Sequence, residues 1–226
     1  YLNSPESAVF HKGTLLYLLD RARTAIRTDE MAIVVEGYVD AIRLHAAGIA
    51  CAVAPLGTAL TAEQAKVLRR YTRQVVLSYD ADAPGLKSTF RAGDELLRQG
   101  AMVQVLTMPP GEDPDTLVRR GGAPAYRALL AEAVDLFERK IQLLDRKNLF
   151  SSLQGRRRAL DRLLPTIRAA ADPITRELYI SQAAERTGVS KSVIENEVNK
   201  TAGRHDGRTA SEAVPGASDD PRRAPM

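Results

Sequence analysis

MAIVVEGYVD, residues 31–40, runs apolar positions straight into Glu36, then through Gly37 to Asp40. An uninterrupted apolar run of this length, stopped by glycine, reads as a buried strand. Glu36 closes it, Gly37 permits a tight backbone turn that a side chain would hinder, and Asp40 falls in the first turn of the helix that follows. The design recurs in QVVLSYDAD, residues 74–82, where Asp80 and Asp82 follow the apolar run. Acids at the tips of buried strands are held rigidly, and like charges gathered there raise one another's pKa unless a cation joins them. Oxygen ligands without His or Cys point to magnesium or manganese.

Outward from these phrases, a strand over 31–36 leads to a helix from Val39 to Ala47, with Gly48 where a helix end favours a left-handed residue. A second apolar run, Ile49 to Ala54, ends at Pro55-Leu56-Gly57-Thr58. Thr61-Ala62-Glu63-Gln64 is a capping box for a helix reaching about Tyr71. Strand 74–79, the Asp-rich turn with Gly85, a helix from Leu86 to Gln99 and a strand from Met102 to Met108 complete the pattern. Upstream, Thr14 to Arg27 has helical spacing. Four strands separated by helices predict an α/β fold with a largely parallel four-stranded sheet flanked by helices. Ligands of such sheets bind beyond the carboxyl ends of the strands. Glu36, Gly57-Thr58, Asp80–Asp82 and the loop Gly111-Glu112-Asp113-Pro114-Asp115 all fall at that edge.

From Ala123 the pattern turns all-helical. Leu129, Leu130, Val134, Phe137, Ile141 and Leu144 predict one long amphipathic helix, and an Arg-rich helix is expected over 153–170. Asp172-Pro173 caps a third helix through Ile174, Leu178, Tyr179 and Ala183, and Thr187-Gly188-Val189-Ser190 turns into a last one ending near Lys200. Thr201 to Met226 is rich in Gly, Pro, Ser, Asp and Arg and reads as a disordered linker or tail.

At 226 residues and 44% hydrophobic, the chain is long enough for a core, and no apolar stretch reaches membrane-spanning length. No signal-peptide pattern is visible, and Tyr1-Leu2-Asn3-Ser4-Pro5 reads as the middle of a protein, so a piece of a longer one is expected. Cys51, the single cysteine, lies in an apolar run and is expected to be a buried, inert thiol, in keeping with a reducing cytoplasm. The net charge of +4 permits an acidic partner such as nucleic acid without demonstrating one. No Trp and 5% aromatics argue against a broad base-stacking platform.

Asp80 and Asp82, two apart, project to the same side of an extended segment, the arrangement needed to share metal ions. Two magnesium ions about 4 Å apart can activate a hydroxyl and neutralise a leaving phosphate. Asp113 and Asp115 repeat the spacing and could add outer ligands or hold metal-bound waters. The bland alternatives are a solvated turn for Asp80 and Asp82, a helix N-cap at Asp115, and a dipole partner in Asp40. Lys12, after a turn, could meet phosphates. Arg69-Arg70, Arg119-Arg120 and Arg156-Arg157-Arg158 read as solvated helix faces or loop ends, and His45 as structural. No Ser-His-Asp set or Walker-type loop is present.

Taken in order, Glu36-Gly37-Tyr38-Val39-Asp40, Leu56-Gly57-Thr58, Tyr79-Asp80-Ala81-Asp82-Ala83-Pro84-Gly85 and Glu112-Asp113-Pro114-Asp115-Thr116-Leu117 resemble the motifs of DnaG-type bacterial DNA primases. The central part resembles a TOPRIM domain, the fold these enzymes share with type IA and II topoisomerases. Val9-Phe10-His11-Lys12-Gly13 and Asp172-Pro173-Ile174 resemble flanking segments, so the resemblance spans about 1–195. It implies Glu36, Asp80 and Asp82 as magnesium ligands (manganese possible, two ions expected), supported by Asp40, Asp113 and Asp115, with Lys12 near the incoming nucleotide or template. The family's turn usually has Gly and Ala where Ala81 and Pro84 stand; neither change removes a ligand.

The implied domains are 1–29, the end of a preceding polymerase subdomain; 30–122, the TOPRIM metal-binding unit; 123–200, a helical subdomain; and 201–226, a tail. The implied function is primer synthesis in replication, a DNA-directed RNA polymerase of the cytoplasmic replisome working by nucleotidyl transfer. Its partners would be a single-stranded DNA template, ribonucleoside triphosphates, the RNA primer and, through a C-terminal domain beyond the tail, the replicative helicase, with no membrane. The family's zinc-binding domain has no counterpart in these residues. Alternatives are topoisomerase- or nuclease-like strand cleavage, or a non-catalytic nucleic-acid-binding module suggested by the basic segment 153–170.

Overall fold

The computed structural model describes residues 7, 11–56, 59–79 and 83–200, with 83 and 84 by backbone alone. Gly57, Thr58, Asp80, Ala81, Asp82 and the expected tail lie outside the described residues.

The two opening phrases form strands β2 (Met31–Val35) and β4 (Gln74–Ser78). Each is buried from its second residue to its last, as a strand covered on both faces must be. With β3 (Ala52–Pro55) and β5 (Met102–Val105) they make the expected parallel core, in the order β3-β2-β4-β5. The helices between them are α2 (Tyr38–Ala46), α3 (Ala62–Arg69) and α4 (Ala83–Arg98). Gly48 takes φ +82 just past α2, the left-handed end expected for it. Gly85 lies inside α4, which starts three residues ahead of the expected Leu86, and the Thr89 hydroxyl donates to its carbonyl at 2.8 Å.

Two short antiparallel strands extend this core, and both correct the helix boundaries expected from spacing. Residues 14–18 are not helical: β1 (Leu16–Tyr17) pairs with β3, Leu18 takes φ +62, and α1 spans Leu19–Thr28. The pairing covers the otherwise open edge of β3, and Tyr17 packs on Tyr38 with ring centroids 4.8 Å apart. The single helix expected from 123 onward is likewise divided. Helix α5 (Pro114–Ala131) is kinked at Gly122, φ +67, and is followed by β6 (Val134–Asp135) and α6 (Leu136–Asp145). Apolar spacing continues through the break, but β6 closes the edge of β5, and the Asp135 carboxylate accepts the N–H groups of Phe137 and Glu138 at 2.7 and 3.3 Å. The sheet therefore takes its last strand from beyond the Gly122 kink.

Helices α7 (Leu153–Ala169), α8 (Pro173–Thr187) and α9 (Lys191–Lys200) complete the described chain. Asp172 caps α8 as expected, accepting the Thr175 N–H at 2.8 Å. The helical part is seated on α4. Lys140 Nζ donates to Thr166 Oγ1, which donates to Asp94 Oδ1, both at 2.7 Å, joining α6, α7 and α4. Leu136 fills the space over Gly93, where an added Cβ would lie 2.4 Å from a Leu136 methyl. Phe137 stacks on Tyr179 at 4.4 Å, and the Tyr179 hydroxyl donates to Asp135 Oδ2 at 2.9 Å.

Two stability experiments test this seating. Gly93→Ala should destabilise the chain by about 1–3 kcal/mol in urea unfolding, the usual range for overpacking, and the loss should shrink in the Leu136→Ala background, where room has been made. Burial, against its hydrogen bonds, raises the Asp135 carboxyl above its usual range. Between the unfolded and folded pKa the native state then binds the extra proton, so this group's stability is present at acid pH and lost as pH rises. Asp135→Asn should therefore gain on wild type as urea midpoints are taken from about pH 4 to 7; a difference independent of pH would contradict the assignment.

Candidate metal centre at the carboxyl edge of the sheet

From β2 the chain crosses to β3 on one side, and from β4 it crosses to β5 on the other, so the strand order reverses between β2 and β4. That is where an open α/β sheet leaves a crevice for a ligand. Val35 stands opposite Ser78, so Glu36 and Tyr79 leave the sheet side by side. Tyr79 is buried; desolvation pushes its hydroxyl well above the ordinary range, and the Glu36 carboxylate adds to the shift. Ser78 is held from above by the buried Tyr126 of α5, whose hydroxyl donates to it at 2.9 Å.

Asp40 accepts the Gly37 N–H through Oδ2 at 3.3 Å and so closes the first turn of α2. Gly37 is extended, φ −116, a conformation open to any residue. The constraint on it is the folded-back carboxylate, since a Cβ would lie 3.0 Å from Asp40 Oδ2.

Lys12 reaches the same edge by a different route. Because β1 is antiparallel to β3, with Leu16 opposite Pro55, the loop before β1 lies beside the carboxyl ends. The expected capping box holds it. Thr61 Oγ1 accepts the Gln64 N–H at 3.2 Å, and Gln64 Oε1 accepts the Thr61 N–H at 3.0 Å. The buried Gln64 amide then donates to the carbonyls of Lys12 and Leu15, each at 2.8 Å, while the Thr61 hydroxyl donates to the Gly13 carbonyl.

The fourth-strand loop brings further acids. Asp113, not Asp115, caps α5: its Oδ1 accepts the Thr116 N–H at 2.7 Å, and Pro114 takes the first helical position. Asp115 sits between Arg43, with Nε 2.9 Å from Oδ1, and Arg119, 3.9 Å from Oδ2. Oδ1 is nonetheless buried without a hydrogen bond, so the Arg43 contact is an ion pair whose donor is poorly aligned. Glu112 pairs with Arg120 through Oε1, and its Oε2 is likewise buried without a hydrogen-bond donor. Two such carboxylate oxygens beside an all-oxygen edge fit a hard cation or its water shell. Glu112 is the residue that spacing arguments passed over, because only burial distinguishes it from a solvated loop acid. Among the described residues no group of three or more His, Cys, Asp or Glu gathers closely enough to hold a metal by itself.

Two expectations outside the edge hold. Cys51 is buried, and desolvation, reinforced by Asp29, pushes its thiol up to about 12. His45 is structural, its Nε2 lying 2.8 Å from the Ala52 carbonyl.

A family model described as Toprim-like matches residues 33–118, and one described as the DnaB-helicase binding domain of primase matches residues 141–192. The second match lies within the chain, correcting the expectation that a helicase-binding segment would come only beyond the tail. A DNA primase of Clostridium acetobutylicum is 40% identical over 195 residues, 86% of this chain and 32% of the relative. One from Synechococcus elongatus is 42% identical over 193 residues, 82% of this chain and 28% of the relative. The chain thus spans about a third of the length of the curated relatives it matches. Among solved structures, a DNA primase domain from Pseudomonas aeruginosa superposes with a TM-score of 0.80 at 37% identity, covering 88% of this chain and 63% of that one. A DnaG primase catalytic domain bound to single-stranded DNA gives a TM-score of 0.76 at 35% identity, over 85% and 62%.

Replacing Gln64 by Ala leaves the Lys12 and Leu15 carbonyls without their donors, at about 1 kcal/mol each. Hydrogen exchange over residues 11–17 should accelerate together with that at the start of α3; acceleration in only one of the two would show that the cap and the loop are not coupled.

Proposed function

We propose that this chain, which belongs to the DnaG-type bacterial primase family, supplies the nucleotidyl-transfer site of a primase, synthesising RNA primers on a single-stranded DNA template during replication. The observation that carries this is the register of β2 on β4, which sets Glu36 beside the chain leading to Asp80 and Asp82 at the switch point of the sheet. In the reaction a primer 3′ hydroxyl attacks the α-phosphate of a ribonucleoside triphosphate. The new O–P bond forms as the bond to pyrophosphate breaks, and pyrophosphate leaves. Magnesium, with manganese able to replace it, would be held as a pair by Glu36, Asp80 and Asp82 and would neutralise charge on the reacting phosphates.

The remaining residues position and balance. Asp40, tied to the Gly37 N–H, fixes the turn that aims Glu36. Asp113 fixes the start of α5, and Asp115 and Glu112, each with a buried oxygen free of hydrogen bonds, support the metal shell. Lys12, pinned through its own carbonyl, offers an ammonium to triphosphate or template. The helical subdomain read from sequence as 123–200 is better taken from Leu136 onward, because Val134–Asp135 belong to the sheet, and the match over 141–192 supports a contact there with the replicative helicase. Tyr79 and Tyr126 are buried with hydroxyls pushed well above their ordinary range, which suits neither of them to strand cleavage. No described helix is long and apolar enough to cross a membrane.

Calorimetric titration with magnesium and manganese tests the assignment directly. Glu36→Gln should weaken binding at least about tenfold, a loss near 1.4 kcal/mol, and should abolish nucleotide incorporation wherever the wild-type chain supports it. Equal metal affinity in the variant would remove Glu36 from the site.

A further inference from the structure

We infer that the amino edge of the sheet, opposite the carboxylates, carries a second site: a cleft that binds the phosphates of a nucleic-acid strand away from the reacting end. The inference rests on the nucleic-acid reading above. Met31, Gln74 and Met102 stand in line as the first residues of β2, β4 and β5 and define this edge. Arg27 in the last turn of α1, Arg69 at the end of α3, and Arg70 and Arg73 in the connection to β4 converge there on one cleft of about 460 Å³. Glu30 is the carboxylate that lines it. Asp172 stands near the rim; its carboxyl is held low chiefly by its Thr175 hydrogen bonds and more weakly by Arg73.

Arginines near helix ends often do no more than offset the helix dipole. That accounts for Arg27, Arg69 and the C-cap residue Arg70, but not for Arg73, three residues further on, nor for the convergence of three segments. Two of the four groups are already fixed. Arg69 Nε donates to the Gly100 carbonyl at 3.2 Å, and the Arg27 guanidinium lies over the Tyr71 ring, 5.1 Å from its centroid. The side chains of Arg70 and Arg73 are exposed and make no hydrogen bond or ion pair with another described residue. Fixed guanidinium groups lose little freedom on meeting phosphate, which their fork matches in two hydrogen bonds. Met102, 55% exposed at the mouth, and the Tyr71 ring add apolar surface on which a base can rest, which favours a strand over a free phosphate. A strand of five residues separates this cleft from Glu36, about 16 Å at about 3.3 Å a residue, so it grips nucleotides other than the one reacting.

The test is fluorescence anisotropy of a labelled oligo(dT) with the whole chain over a series of salt concentrations. The double change Arg70→Ala, Arg73→Ala should weaken binding about tenfold and reduce the slope of log K against log salt by about 1.4, at about 0.7 per single-strand phosphate contact. Arg70→Gln alone, a milder change for the fold, should reduce it by about 0.7. Unfolding midpoints equal to wild type show that the variants are folded. An unchanged slope in Arg70→Gln overturns the site. Displacement of the oligonucleotide by inorganic tripolyphosphate at matching affinity also overturns it, in favour of a small-anion pocket. If the wild-type chain binds no oligo(dT), the inference fails while the metal titration of Glu36→Gln still judges the carboxyl edge on its own terms.

Discussion

Parallel pairing of β2 with β4 is the constraint on which the rest depends. Consecutive strands in this fold need not be neighbours, and here the third in sequence is set outside the second so that the fourth can lie against it. The pairing runs from Met31 with Gln74 to Val35 with Ser78 without interruption. A slip of one residue would turn every apolar side chain of one strand to its opposite face. Register is therefore fixed by burial, and the side-by-side exit of Glu36 and Tyr79 follows from core packing without any interaction between acids. The acid that closes β2 is thus set beside the chain leaving β4 at no expense to the local backbone.

The parallel core was legible because its strands are continuous apolar runs bounded by glycine, and the Thr61 capping box, the Asp172 cap and Gly48 because their chemistry is local. What spacing misread was governed by the sheet edges. Leu16–Tyr17 and Val134–Asp135 carry no strong strand pattern; they are extended because β3 and β5 offer unpaired backbone. The helical period of Leu130, Val134 and Phe137 persists across a break that only the tertiary pairing imposes. At the site, the acids at strand ends were legible as a group, while the division of labour within the loop was not. Asp113 caps and Asp115 pairs with arginine because Pro114 sets where α5 begins. Glu112 needed knowledge of burial, and Asp80 and Asp82 remain assigned from sequence and family alone.

The helical part is joined to the sheet by specific polar contacts as well as by packing. Asp94, Thr166 and Lys140 link three helices through one hydroxyl, and Asp135 serves both the β6 turn and Tyr179 of α8. Groups shared in this way make neighbouring elements depend on each other, since removing one partner leaves two others unsatisfied.

Helix α3 has a consequence best put mechanically. Its first turn is bolted to the Lys12 loop by Thr61 and Gln64, and its last residue, Arg69, grips the Gly100 carbonyl beside the arginine cleft. An eight-residue helix is a rod about 12 Å long. A pull on Lys12 from whatever engages its ammonium is therefore resisted at the far end of the sheet, and a load on the arginines is felt at the loop. The two edges carry opposite charge, and α3 is the strut between them.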